Sequence, residues 1–208
     1  MKQFSLKRTL LSAALVSLGL AVAPLAAQAA GAADNTTNGT SAMSKSSSSQ
    51  MAPSNRQVSS SVKKFIEKAA QGGVAEVEMG KLAQQNAQND QVKQFGERMV
   101  KDHSSADAKL TQIAEQKGVT PPTDMDAASK REYDKLSKLS GAQFDREYMK
   151  AMVSDHVKDI KEFKEQAKSG KDADVRNFAE STTPTLEEHL KLARSAEAAV
   201  KGEKTASK

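Results

Sequence analysis

The chain has 208 residues, with 31 Lys and Arg against 26 Asp and Glu, and it contains neither cysteine nor tryptophan. Without cysteine there is no disulfide, no thiolate metal site and no lipoprotein anchor, so packing alone must hold the fold. Three of the basic residues lie within the first eight positions, which leaves 28 basic against 26 acidic, a net +2, for the rest of the chain. A near-neutral chain with only 4% aromatics offers neither the basic patch nor the stacking platform of a nucleic-acid binder.

The first 29 residues read as a secretory signal peptide. Lys2, Lys7 and Arg8 precede an apolar run from about Leu10 to Ala27, and Ala27-Gln28-Ala29 supplies the small residues of a cleavage site. The run is short for a bilayer span and is broken by Ser17, Gly19 and Pro24, so no transmembrane segment is expected after cleavage. The expected location is the periplasm. Residues 30–58, rich in Ser, Asn, Gly, Ala and Thr, bury too little apolar surface to offset the entropy of ordering and read as a linker.

From Ser59 the apolar residues recur at three- and four-residue intervals, the period of amphipathic helices. The spacing predicts a first helix over about 60–87, with Val62, Phe65, Ile66, Ala69 and Val77 inward and a close approach or bend at Gly72-Gly73. Asn89-Asp90 reads as a turn and N-cap. A second helix then runs to about Lys117 and stops at Gly118, a residue suited to a helix C-terminus. Pro121-Pro122 excludes helix interior, and a shorter helix follows over about 126–139. A long helix over about 142–168 carries Met149, Met152, Val153, Ile160 and Phe163 inward. The last spans about 173–200, with Pro184 expected to kink or restart it, and residues 202–208 form a tail. Two helix pairs with short links, joined by one long crossover, describe a ferritin-like four-helix bundle over residues 59–201.

The chain has three histidines. On a helical wheel of about 100° per residue, His103 falls amid Val92, Phe95, Met99 and Leu110, and His156 amid Met149, Met152, Val153 and Ile160. His189 falls amid Phe178, Ala179, Leu186 and Ala193. On the first helix Glu76 shares the stripe of Phe65, Ala69 and Gly73, whereas Glu78 faces away. Each of the four lies near the middle of its helix, and antiparallel helices bring their midpoints to one level. Glu76, His103, His156 and His189 are therefore a candidate metal site, and imidazole with carboxylate suits zinc, copper or iron. Asp107 and Asp159 lie at the stripe edges and are expected to orient the imidazoles. Asp102, Asp155 and Glu188, each just before a histidine, are expected to face water. Met99 and Met152 would add copper(I) chemistry, although methionine at helical spacing is usually core.

Several segments also resemble a known family. These are Ala69-Ala70-Gln71-Gly72-Gly73, Glu76-Val77-Glu78, Met99-Val100-Lys101-Asp102-His103, residues 139–145 with Tyr148, and Leu186-Glu187-Glu188-His189-Leu190. Together they resemble the domain of unknown function numbered 4142 over about residues 60–195. The resemblance implies an exported helical bundle of the cell envelope, often described as ferritin-like or as an outer-membrane protein, and it implies no particular reaction. The alternating segments of a membrane barrel are missing from the sequence, so any outer-membrane association is peripheral. The chain also departs from the di-iron pattern of Glu-x-x-His on two helices, because Val100, Val153 and Leu186 stand three residues before the histidines. Three readings follow: a non-enzymatic metal-binding or stress-related module, a single-metal redox enzyme, or a ligand-free bundle whose polar cluster fixes helix register.

Overall fold

The computed structural model describes residues 58–206 and contains five helices: α1 (Ser60–Asn86), α2 (Asp90–Gln116), α3 (Ala127–Leu136), α4 (Gly141–Ser169) and α5 (Ala173–Ala206). The stretches expected to form a signal peptide and, but for residue 58, a linker lie outside the described residues. Helix α1 pairs with α2 and α4 with α5, while α2 also meets α5 and α1 meets α4. The described residues thus form an all-α, ferritin-like four-helix bundle, with α3 carried on the crossover and packed against α1 and α4.

Local chemistry sets most helix ends. The Ser59 hydroxyl accepts from Val62 N at 3.3 Å and the Asn89 side chain accepts from Gln91 N at 2.9 Å, each satisfying a first-turn donor. The Asp126 carboxylate does the same for Ala128 and Ser129 at the start of α3. At the end of α2, Gly118 takes a φ of +67°, Gly118 N donates to Glu115 O, and Val119 N donates to Ala114 O. That paired closure is the Schellman arrangement, in which the left-handed residue is nearly always glycine.

Contacts at the two ends orient the helices. The α1–α2 turn is held from α4, because the Asp145 carboxylate accepts from Gln88 N at 3.1 Å and Asn89 N at 3.0 Å. At the other end Lys117 pairs with Asp172 and Asp174 in the α4–α5 turn, at 2.8 and 2.7 Å. The starts of α2 and α4 therefore share one end, and the crossover runs the length of the bundle. Gly80 and Gly96 let α1 and α2 approach closely: a Cβ on Gly96 would lie 2.6 Å from the Ala83 Cβ.

The core divides into two apolar clusters. One joins the second half of α1 to the first halves of α2 and α4 and the second half of α5, and includes Met79, Phe95, Phe144, Tyr148 and Met152. The other joins the opposite halves through Ile66, Leu110, Val175, Phe178 and Ala179. His103, His156 and His189 fall between the two in sequence, and Glu76 lies at the inner edge of the first cluster, next to Ala75.

The structure amends several expectations. Val77 and Ile160 are half-buried outside both apolar clusters, whereas Ala69, Val153 and Phe163 are half-buried but pack against a cluster. Val77 and Val153 each lie about 100° from a core position, Glu76 and Met152, and sit at the rim of a narrow stripe. Pro184 neither ends nor restarts α5, which passes through it and continues to Ala206, beyond the expected stop at Val200. Proline removes one helical donor; beside it the Thr183 hydroxyl donates to Ala179 O at 2.7 Å. Because the helix continues, His189 keeps the register that points it inward.

Candidate metal centre

The four residues meet in one layer. Glu76 and His103 are 5% and 6% exposed, and His156 and His189 are fully buried. The imidazole centroids lie 5.9 Å apart for His103 and His156, and 5.3 Å apart for each of the other two pairs. One ring nitrogen from each of the three can be chosen so that all lie within 4.8 Å of one another.

The outer partners decide which nitrogens these are. His103 Nδ1 sits 2.9 Å from Glu76 Oε2 and donates to it. His156 Nδ1 lies 2.9 Å from Met152 O, an obligatory acceptor, and must donate there. His189 Nε2 lies 2.9 Å from Asp102 Oδ2 and donates to that carboxylate. Each ring spends its proton outward, so His103 Nε2, His156 Nε2 and His189 Nδ1 are left as lone pairs facing inward. His156 Nε2 and His189 Nδ1 stand 3.3 Å apart, and His103 Nε2 is buried without a hydrogen-bond partner. Two acceptors face each other, and a third is orphaned beside them.

The electrostatics match this assignment at His189, whereas at His103 they favour a second ring proton. Burial, reinforced by His103 and His156, outweighs the Asp102 hydrogen bond and lowers His189 to about 4, so it is neutral at pH 7. Burial disfavours the Glu76 carboxylate, but the three imidazoles overcome this and leave it at about 2. For His103 burial is likewise overcome, here by Glu76, so its pKa is raised. Partial burial works against ionisation of Asp102, yet hydrogen bonds from His189 and Arg98 hold its carboxyl below the ordinary value.

Three expectations about the surrounding carboxylates change. Asp102 does not face water: its side chain is 23% exposed and is fixed between His189 and Arg98 Nε, the latter at 3.1 Å. A position 100° from the core stripe of α2 faces the neighbouring helix α5, so the seam between helices, not solvent, receives Asp102. Asp107 and Asp159 orient no imidazole by hydrogen bond among the described residues; that role belongs to Asp102 and Glu76. Asp155 and Glu188 do face outward, with Lys158 and Lys191 as partners. Met99 and Met152 are fully buried in the first apolar cluster.

Four antiparallel helices with a full-length crossover, closed around a buried layer of three imidazoles and one carboxylate, define a ferritin-like bundle with a candidate single-metal centre. The chain belongs to the family described as domain of unknown function (DUF4142), whose model matches residues 47–196. Among solved structures it is similar to the crystal structure of a DUF305 fragment from Deinococcus radiodurans. The TM-score is 0.58 at 13% identity, over 68% of this chain and 96% of that one, a likeness of fold alone. Among curated proteins, none matches.

Proposed function

We propose that this protein is an exported helical bundle that binds one transition-metal ion through His103 Nε2, His156 Nε2 and His189 Nδ1. Glu76 and Asp102 act as carboxylates that orient His103 and His189. The observation that carries the reading is the pair of acceptor nitrogens 3.3 Å apart beside an orphaned third. Buried acceptors facing one another without a proton repel, and a cation between them turns that cost into binding. A tetrahedral ion with metal–nitrogen bonds of about 2.0–2.1 Å spaces its ligands about 3.3–3.4 Å apart, so this nitrogen pair already stands at ligand spacing. Imidazoles held from behind by carboxylate or carbonyl are the usual support of a protein-bound metal.

Three imidazoles with no carboxylate among the converging ligand atoms suit zinc or copper(II) better than iron. The cavity that touches His103 measures about 40 Å³, room for water-sized species only. It favours binding over turnover of an organic substrate. No described helix is long and apolar enough to cross a membrane, and the basic–apolar–small pattern of residues 1–29 supports export to the cell envelope.

Elemental analysis after zinc or copper challenge tests the site. Wild type is expected to retain about one ion per chain, and a His103→Ala/His156→Ala variant none. Equal, negligible metal in both would remove the reading and leave the layer as a register-fixing polar core. Turnover of oxygen or peroxide by metal-loaded protein would instead make it an enzyme.

A further inference from the structure

Two carboxylates beside the imidazole layer have no role in holding it. Asp107 from α2 and Asp159 from α4 both line the cavity of about 40 Å³, together with Glu76 and His103. Neither makes a hydrogen bond or ion pair with another described residue. Burial raises Asp107 to about 6, and burial together with the nearby Glu76 charge raises Asp159 to about 8. Half-buried carboxylates without partners cost stability. A core built for packing alone would have placed apolar residues there.

The surroundings keep the pair in place. A Cβ on Gly73 would collide with the Asp107 carboxylate, so α1 leaves room for Asp107 by lacking a side chain there. Phe65, Phe163, Phe178 and Leu186 supply apolar walls. The nearest lysine, Lys68, is taken by Glu162 at 2.9 Å. Glu76 and His103, both more than nine-tenths buried, line the same cavity, and Glu76 Oε1 and His103 Nε2 lack hydrogen-bond partners. Asp159, Glu76 and Glu162 also line a broad groove of about 510 Å³ between α1, α3 and α4, which opens this side to solvent. The groove and the small cavity thus share Glu76, Asp159 and Glu162, and Asp107 and His103 line the cavity beyond them.

We propose that Asp107 and Asp159 form the entrance through which a divalent metal cation reaches the three histidines. The inference rests on the metal reading above. An arriving cation favours the ionised carboxyl and displaces the proton Asp159 holds near neutral pH, and carboxylates set between apolar walls raise the local concentration of the opposite ion. Neither aspartate belongs to the cluster of converging ligand atoms, so their action falls on the rate of arrival and not on final coordination. The small cavity also requires the ion to shed most of its water there, and carboxylate oxygens replace that water.

Stopped-flow zinc binding to the full mature chain tests this. Asp107→Asn/Asp159→Asn is compared with wild type and with Asp134→Asn/Glu188→Gln, which removes two carboxyl groups from outward-facing sites. The entrance variant is expected to associate roughly tenfold or more slowly than either, while still binding one zinc at saturation. It should fold, since it loses two carboxyl groups without hydrogen-bond partners; circular dichroism checks this, and Asp159→Asn alone gives the same effect at smaller amplitude. Association at the rate of the exposed-charge control would overturn the entrance and leave the three-histidine site intact. So would an affinity loss carried wholly by faster release, which would mark the aspartates as ligands. A wild type that takes up no zinc removes both readings.

Discussion

The two apolar clusters and the polar layer between them are built by the same four helices, yet they contribute opposite terms to stability. In the clusters every buried side chain gains from leaving water, by about 25 cal/mol per Å² of apolar surface. In the layer, four ionisable groups have given up hydration, and Glu76 Oε1 and His103 Nε2 receive no hydrogen bond in return. A bundle can carry such a layer only because apolar packing above and below it supplies the surplus. The difference separates what folds this protein from what it folds around: the clusters set stability, and the layer is the proposed metal centre.

The largest expected effect breaks the apolar side alone. Leu110→Ala, at a fully buried position of the second cluster, should cost about 2–5 kcal/mol in chemical denaturation while metal stoichiometry stays unchanged. Breaking the layer should do the reverse. At zinc a hundredfold above its Kd, wild type should gain about 2.7 kcal/mol of stability by ligand linkage. His156→Ala should gain none, which zinc-dependent thermal melts would show. A smaller change sharpens the boundary between layer and support: Asp102→Ala removes the acceptor behind His189 and should weaken zinc affinity about 10- to 100-fold. Isothermal titration distinguishes this from complete loss; unchanged affinity would return Asp102 to the solvated role read from the sequence.

The smallest effect is a slope. Asp159 has a folded pKa of about 8, above its ordinary value, so the folded chain holds a proton that the unfolded chain releases near pH 4. The stabilisation it contributes is complete below about pH 4 and is lost as pH rises toward 8. Asp159→Asn should flatten that fall, and the gap between variant and wild type should widen from pH 5 to pH 8 in urea unfolding. A constant gap would assign the effect to packing.

Much of the site was legible because helical period is a local property. The stripe positions of His103, His156, His189 and Glu76 follow from spacing alone, and their common level follows from antiparallel pairing of long helices. The role of Asp102 was not legible. On an isolated wheel it points away from the apolar stripe, and only the position of α5 turns that direction into a seam. Asp107 and Asp159 show the converse: the wheel puts them near the histidines, but hydrogen-bond geometry gives the orienting role to others. The persistence of α5 through Pro184 was equally a matter of packing, which holds a helix together where its own hydrogen-bond ladder is interrupted.

The sequence by itself determined five helices, the ends at Asn89 and Gly118, the long crossover and the four residues of the central layer. These depend on residues a few positions apart, whose spacing acts before any tertiary contact forms. Tertiary structure alone decided which nitrogen each imidazole turns inward, which carboxylates stand behind them, and where the layer opens to solvent. Those depend on distances between helices that the chain brings together only on folding.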